Sequence, residues 1–181
     1  AFAGMEVQKT LLGTCDGCNV VVMKDFIGED EIFVPFNDVG ESTLEQDRRL
    51  YQYSYDDIMR MLSDNVKLTD VETTVDHFWE MYIVDAWIGN FDRHGANWGF
   101  LKKNGKYRMA PVYDKGSSLF PKLNTDEKIR AVLDSKEEIE RRIFQFPSSQ
   151  ILLDGKKSSY YEVIHSLSYE ECNRALMLVY E

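Results

Sequence analysis

The segment 71–88 constrains the fold of this chain more than any other part of its sequence. Thr69 and Glu72 have the spacing of a capping box, which marks the start of a helix, and Gly89 marks its end. Between these signals, apolar residues recur at steps of three and four, as on one face of an α-helix: Val71, Val75, Phe78, Trp79, Tyr82, Ile83 and Ala86. The pattern predicts a long helix in the core. We expect its aromatic side chains to be buried there: Phe78, Trp79, Tyr82 and Trp87.

The first part of the chain has the pattern of a β-hairpin. Asp16-Gly17 favours a tight turn, and it separates strand-like segments at 6–12 and 20–23. Residues 20–23 are apolar at successive positions, which predicts a strand that is covered on both faces. Cys15 and Cys18 flank the turn. They lack a second pair of cysteine or histidine residues at zinc-finger spacing, so we interpret them as cross-strand neighbours and not as a metal or redox site.

The other elements follow in an order that predicts an α+β fold. Ser54 is placed to cap a short helix at 55–64, and an extended piece covers 32–36. A second hairpin, with Asn104-Gly105 at its turn, directly follows the loop after the long helix. Residues 125–181 have the pattern of about three amphipathic helices, with irregular chain around Pro147. A short β-rich front is therefore followed by a helical bulk.

Composition excludes several classes of function. The 181 residues carry a net charge of −10, from 31 acidic and 21 basic side chains, which disfavours direct binding of nucleic acid. No apolar run reaches the roughly 18 residues that a membrane helix needs. The start of the chain lacks a secretory leader, and the cysteine count of 3 is low and odd. We therefore expect a reducing, cytoplasmic setting.

A cluster of polar residues follows the long helix and suggests chemistry. Asp92 lies in the loop after the helix, Asn97 comes five residues later, and Asp114 follows the second hairpin. An aspartate on such a loop can accept the proton of a hydroxyl, and the other two side chains offer the oxygen ligands that magnesium prefers. Taken singly, each residue could instead be an ordinary turn or cap residue. Their order, with the intervening hairpin, favours the functional interpretation.

The residues of these motifs resemble those of one branch of the kinase superfamily. Conventional protein kinases have His-Arg-Asp in the catalytic loop and Asp-Phe-Gly at the metal site. This chain has Asp-Arg-His at 92–94, and Asp114 is followed by Lys-Gly. The segments Asn90–Asn97 and Ala110–Asp114 resemble the HipA-like serine/threonine kinase family, including its CtkA-type members. Phosphoinositide kinases have a related loop and are the class most easily confused with it.

The resemblance implies roles at the catalytic and metal positions. Asp92 would be the catalytic base, and Asn97 and Asp114 would bind Mg²⁺. His94 would support the loop or contact phosphate. The implied reaction is transfer of the γ-phosphate of ATP to serine or threonine of a protein substrate, and the family also suggests an antitoxin-like partner.

The resemblance further implies where the nucleotide lies. Tyr113 would lie beside it, and the backbone of Lys24, Asp25 and Phe26 would meet the adenine at the hinge between two lobes. Residues 1–26 would then be the end of the N-lobe, comprising its last two strands and the hinge. Residues 27–181 would be a mainly helical C-lobe that carries the catalytic and metal loops.

The sequence does not show the part of a kinase that binds the nucleotide phosphates. A kinase of this type also needs a glycine-rich loop and a strand lysine, which precede the hinge. Residues 1–23 contain no such loop, and Lys9 lies in the wrong strand to be that lysine. We expect the chain to be the C-terminal part of a longer kinase and to be inactive alone. The alternatives are a non-catalytic kinase remnant that acts as a binding module, and a lipid or small-molecule kinase with a related loop.

Overall fold

The computed structural model describes residues 4–39, 53–64, 68 and 70–180. The helices with both ends described are α1 (Tyr55–Ser63), α2 (Val71–Ile88), α3 (Asp126–Leu133), α4 (Lys136–Phe144), α5 (Tyr160–Ser166) and α6 (Glu170–Tyr180). Residues 36–39 are also helical. The strands are β1 (Thr10–Cys15), β2 (Cys18–Met23), β3 (Ile32–Pro35), β4 (Tyr53–Ser54), β5 (Gly99–Lys103), β6 (Lys106–Met109), β7 (Ser148–Leu153) and β8 (Lys156–Ser159). Within the described ranges, no helix combines the length and the apolar character that crossing a membrane requires.

Helix α2 forms the centre of the core, as its apolar pattern predicts. Asp70 caps its N-terminus, because the Asp70 side chain accepts a hydrogen bond from the Thr73 backbone N–H at 3.1 Å. The predicted cap, Thr69, lies outside the described residues. Gly89 ends the helix in the left-handed conformation, with φ of 66°, which glycine adopts without steric cost. The sequence signals therefore placed this helix and its end correctly.

The aromatic side chains of α2 do not all lie in the core. Phe78, Trp79 and Tyr82 are buried, as expected. Trp87 is 67% exposed, so the prediction that it belongs to the core was wrong. Trp87 comes one helical turn after the buried Ile83 and lines the same open cavity, so its side chain reaches solvent although it lies near the apolar face of the helix.

The hairpin β1–β2 forms at the predicted turn, but it is uncovered. Cys15 lies opposite Cys18 across the turn, and both thiols are free and exposed. The predicted covering of residues 20–23 is wrong in this structure. Val21 is 57% exposed, and Leu12, its partner on β1, is 88% exposed. Neighbouring residues of a strand point to opposite faces, and Leu11 and Val22 are exposed as well, so both faces of this hairpin are apolar and open.

A three-stranded sheet holds the chain on either side of the polar loop. Strand β5 pairs antiparallel with β3 on one side and with β6 on the other, with the predicted Asn104-Gly105 turn between β5 and β6. Gly99 is needed at the start of β5, since a Cβ atom there would lie 2.3 Å from the Val34 carbonyl oxygen. Trp98, just before it, stacks on Phe36 with ring centroids 4.0 Å apart. These contacts fix the end of the loop against the core.

The C-terminal part differs from the predicted set of about three helices. Residues 125–180, all of them described, contain α3 to α6 and also the hairpin β7–β8. Strand β7 pairs parallel with the short β4, and α6 packs on α2. The turn of this hairpin is Asp154-Gly155, a signal that the sequence carries but that helical periodicity in the flanking chain obscured.

We predict that Gly99→Ala destabilises the fold by about 1–3 kcal/mol, because the new methyl group would force β3 and β5 apart. Urea unfolding monitored by circular dichroism measures this loss. Gly13→Ala is the matched control in a strand, since its nearest neighbour to an added Cβ is a Val20 methyl carbon at 4.0 Å. Equal midpoints for the two variants would contradict the close approach at Gly99.

Candidate active site

The candidate site lies where α2 ends and the chain turns toward β5. The Asn90 backbone N–H donates to the Asp85 carbonyl at 2.9 Å, which continues the helical hydrogen bonding past Gly89. The Leu119 N–H donates to the Ile88 carbonyl at 2.8 Å. The segment that follows Asp114 is thereby attached to the end of the same helix. Both predicted functional loops are thus anchored on α2.

A buried ion pair joins the helix to the loop. Arg93 Nε lies 2.6 Å from Asp85 Oδ2, and Arg93 Nη2 lies 3.1 Å from Asp85 Oδ1. The Asn90 side-chain amide donates to Asp85 Oδ1 at 2.9 Å. The side chains of Arg93 and Asp85 are only 5% and 1% exposed. A charge buried this deeply needs such pairing, because its desolvation is costly.

The same guanidinium connects the two predicted functional segments. Arg93 Nη1 donates to the Asn97 carbonyl at 2.5 Å and to the Tyr113 carbonyl at 2.6 Å. Burial works to lower the pKa of Arg93, but the hydrogen bonds and charge of Asp85 outweigh it and the pKa is raised. Arg93 therefore stays charged, and it ties the loop to the residue that precedes Asp114.

Asp92 and Asn97 are held in complementary ways. The Asp92 side chain is 52% exposed, so its carboxylate is accessible from solvent. Its backbone N–H donates to Asn90 Oδ1 at 3.2 Å, and its carbonyl accepts from Asn97 Nδ2 at 2.7 Å. Since the nitrogen of the Asn97 amide is used in this bond, the amide oxygen is the atom left to act as a metal ligand.

Asp114 is exposed and adopts the left-handed region, with φ of 50°. Aspartate tolerates this region better than most residues, and Asp16 and Asp154 also adopt it, at hairpin turns. The described residues contain no group of three or more His, Cys, Asp or Glu side chains suited to a metal ion. Asn97 and Asp114 offer two oxygen ligands, and magnesium can bind through so few protein ligands because phosphate oxygens and water complete its shell.

His94 lies within the loop that it was predicted to support. Its Nδ1 accepts a hydrogen bond from the Ala96 backbone N–H at 3.2 Å, and its own backbone N–H donates to the Asp92 carbonyl at 2.9 Å. His94 Nε2 lies 3.9 Å from Asp92 Oδ1. The ring therefore braces the loop and directs its other nitrogen toward Asp92.

Three aromatic rings, of Phe26, Phe33 and Tyr113, form a cluster next to Asp114. The Tyr113 ring lies 5.7 Å from that of Phe26 and 5.5 Å from that of Phe33, between centroids. The Tyr113 hydroxyl donates to the Ala96 carbonyl at 2.6 Å. Burial, aided by the charge of Asp114, raises the pKa of Tyr113 to about 12, so the hydroxyl remains a donor at neutral pH. Phe33 meets the other two rings edge-on, with interplanar angles of 78° to Phe26 and 87° to Tyr113, so the three rings form an apolar cluster and not one flat surface.

The other two predicted hinge residues lie at the end of the hairpin. The Lys24 backbone N–H donates to the Lys9 carbonyl at 2.9 Å, which extends the β1–β2 pairing. Asp25 Oδ1 accepts from the Ile27 N–H at 2.9 Å. Of Lys24, Asp25 and Phe26, Phe26 is the residue whose side chain contacts the site in the described contacts. The Lys24 N–H is used in the hairpin.

Some site residues received no role from the sequence. Asp85 is an acidic residue within the apolar helix pattern, and that conflict was a signal that it has a buried partner. Arg93 lies inside the loop motif, but nothing in its spacing showed that its side chain points inward. Phe33 sits in the predicted extended piece, and only the packing of β3 reveals its contact with Tyr113.

Comparison with known proteins gives consistent matches. A sequence model of the family described as HipA-like C-terminal domain matches residues 3–173. The chain is 33% identical over 180 residues to a curated Helicobacter pylori protein named serine/threonine-protein kinase CtkA, a match that covers 98% of this chain and 55% of that protein.

Solved structures agree with the sequence match. The crystal structure of the H. pylori proinflammatory kinase CtkA superposes with a TM-score of 0.87 at 32% identity, over 98% of this chain and 65% of that one. The predicted α+β, kinase-like fold is thus confirmed. A Shewanella oneidensis complex of HipA, HipB and operator DNA gives a TM-score of 0.43 at 15% identity, over 98% of this chain and 54% of that one, which is too distant to carry an argument.

We predict that Asp85→Ala lowers the free energy of unfolding by about 3–5 kcal/mol, because it leaves the Arg93 charge buried without its partner. Denaturant unfolding provides the measurement. Asp76→Ala on the same helix is the control: Asp76 pairs with Arg174, which is 46% exposed, so its loss should cost at most about 1 kcal/mol. Similar losses in both variants would contradict the central place of the buried pair.

Proposed function

Because this chain belongs to the HipA-like C-terminal domain family, we propose that it is the part of a serine/threonine protein kinase that positions the catalytic base and magnesium. The observation that carries the proposal is the bridge made by Arg93. It holds the loop of Asp92 and Asn97 against the residue before Asp114, and these residues occur in the order that the family motifs require. The proposed reaction is transfer of the ATP γ-phosphate to a protein hydroxyl.

The proposed reaction assigns a step to Asp92. Its exposed carboxylate accepts the proton of the serine or threonine hydroxyl as that oxygen bonds to the γ-phosphorus. The bond from the γ-phosphorus to the bridging oxygen breaks, ADP leaves with that electron pair, and the proton remains on Asp92 until it passes to solvent. His94, whose Nε2 faces Asp92, orients the carboxylate.

The remaining site residues bind and orient. Asn97 Oδ1 and the Asp114 carboxylate would hold magnesium, which neutralises the charge of the β- and γ-phosphates when it is bound. The rings of Phe26, Phe33 and Tyr113 would pack on the adenine. We place the reaction in the cytoplasm, where ATP is supplied and exposed thiols stay reduced. An antitoxin-like partner remains a prediction from family resemblance alone.

The open hairpin supports the view that more of the kinase lies in a longer protein. The chain spans about 55% of the length of the H. pylori relative. A two-stranded hairpin is marginally stable by itself, and exposed apolar faces of this kind are normally covered. Further strands and a covering layer would complete the sheet on β1 and β2, and they would supply the glycine-rich loop and lysine that grip phosphate.

We predict that Asp92→Asn in the full-length protein lowers kcat by about 10²–10⁴-fold, because the amide cannot accept the hydroxyl proton. Transfer of labelled γ-phosphate to a protein acceptor, including autophosphorylation, measures it. Asp154→Asn is the control, since asparagine tolerates the left-handed turn at that position on the exposed β7–β8 hairpin. An Asp92→Asn enzyme with kcat within twofold of wild type would refute the role of the base.

We also predict that residues 1–181 alone transfer no phosphate above background, whereas the full-length protein does. The reason is that the chain positions base and metal but lacks the groups that grip the β- and γ-phosphates. The two proteins are compared at equal concentration in the same assay, with thermal unfolding to show that both are folded. Robust transfer by the short chain would contradict this prediction.

A further inference from the structure

We propose that Arg93 is a positioning residue for the magnesium site. Arg93 sets the spacing between Asn97 and Asp114 and does not itself touch the metal. This inference deepens the proposed function and rests on it for the identity of the two ligands. Its basis is the geometry of a single nitrogen, Arg93 Nη1, which donates to the Asn97 carbonyl at 2.5 Å and to the Tyr113 carbonyl at 2.6 Å. The two oxygens can be no further apart than the sum of these distances.

The position of that nitrogen is itself fixed from the other side. Nε and Nη2 of Arg93 form a fork on the carboxylate of Asp85, whose side chain is buried on α2. The guanidinium is planar and rigid, so the direction of Nη1 follows from the fork. Asp85 on helix α2 therefore sets the distance between the two ligand segments, through Arg93.

Lysine cannot reproduce this arrangement. Its ammonium is a compact charge at the end of a flexible stem, and it cannot form the fork and reach both carbonyls in the same plane. Arg93→Lys would keep the charge beside Asp85 and release the carbonyl of Tyr113, of Asn97, or of both. The hydrogen bond from the Tyr113 hydroxyl to Ala96 would remain as a second connection, so the segments would loosen and not separate.

Magnesium is sensitive to such loosening. It demands near-octahedral geometry with oxygen ligands at about 2.0–2.1 Å. Residues that orient metal ligands from outside typically change metal affinity or activity by about 10–100-fold when they are mutated. An ion pair with a purely structural role would instead lower stability and leave metal affinity unchanged in the folded protein. Metal affinity therefore distinguishes the two roles.

The test uses the full-length protein with a non-hydrolysable ATP analogue bound. Isothermal titration with Mg²⁺, and with Mn²⁺ as a second probe, measures the metal affinity of wild type and of Arg93→Lys. We expect about 10–100-fold weaker Mg²⁺ binding in the variant. In the phosphotransfer assay, we expect the KM for Mg²⁺ to rise by a similar factor, and high Mg²⁺ to restore most of kcat.

Arg174→Lys is the matched control. Arg174 also pairs with an aspartate of α2, Asp76, but at the surface, and metal affinity should equal that of wild type. If Arg93→Lys does not fold, as judged by circular dichroism, Asp85→Glu takes its place. It keeps the charge and displaces the fork by one methylene group, and we expect weaker Mg²⁺ binding from it as well.

The outcomes separate the two proposals. Mg²⁺ affinity in Arg93→Lys equal to that of wild type, with or without a lower melting temperature, would overturn the positioning role. Weaker binding in the variant supports that role even if the wild-type protein transfers no phosphate, in which case the proposed function fails alone. A wild-type protein that binds neither Mg²⁺ nor Mn²⁺ with the nucleotide analogue would overturn the positioning role together with the metal site.

Discussion

The ion pair between Arg93 and Asp85 is the contact on which the rest of the site depends. Both side chains are almost fully buried, and each would be costly there without the other. The pair has further partners, which are Asn90 at the carboxylate and the carbonyls of Asn97 and Tyr113 at the guanidinium. A buried polar network with this many hydrogen bonds has little freedom to rearrange. Because the network is anchored on α2, it fixes the positions of the two loops relative to each other.

The exposed groups of the site owe their arrangement to this buried network. Asp92 and Asp114 face solvent. The side chain of Arg93 points inward, and it holds the backbone at the carbonyl of Tyr113. Adjacent residues therefore have different roles: one faces solvent, and the next holds the backbone in place.

Much of the fold could be predicted from local patterns. The extent of helix α2, the Asp16-Gly17 and Asn104-Gly105 turns and the Ser54 cap all depend on residues close in sequence, and each was found where expected. The N-cap of α2 is Asp70 and not the predicted Thr69. The hairpin β7–β8 was missed although Asp154-Gly155 marks its turn, because its strand β7 gains its place by pairing with the distant β4. Trp87 and the apolar residues of β2 were misjudged because burial depends on what packs against an element, which periodicity does not record.

The site, like the fold, has features that the sequence predicted and features that only the structure revealed. By itself, the sequence determined which residue types stand at positions 92, 97 and 114 and in what order, and that order was enough to indicate the chemistry and the family. Only the tertiary structure decided that Arg93 turns inward to Asp85 and that Phe33 meets Tyr113. These contacts join segments far apart along the chain or settle between opposite side-chain directions. Their free energy arises from burial and from hydrogen bonds that exist only once the core has formed.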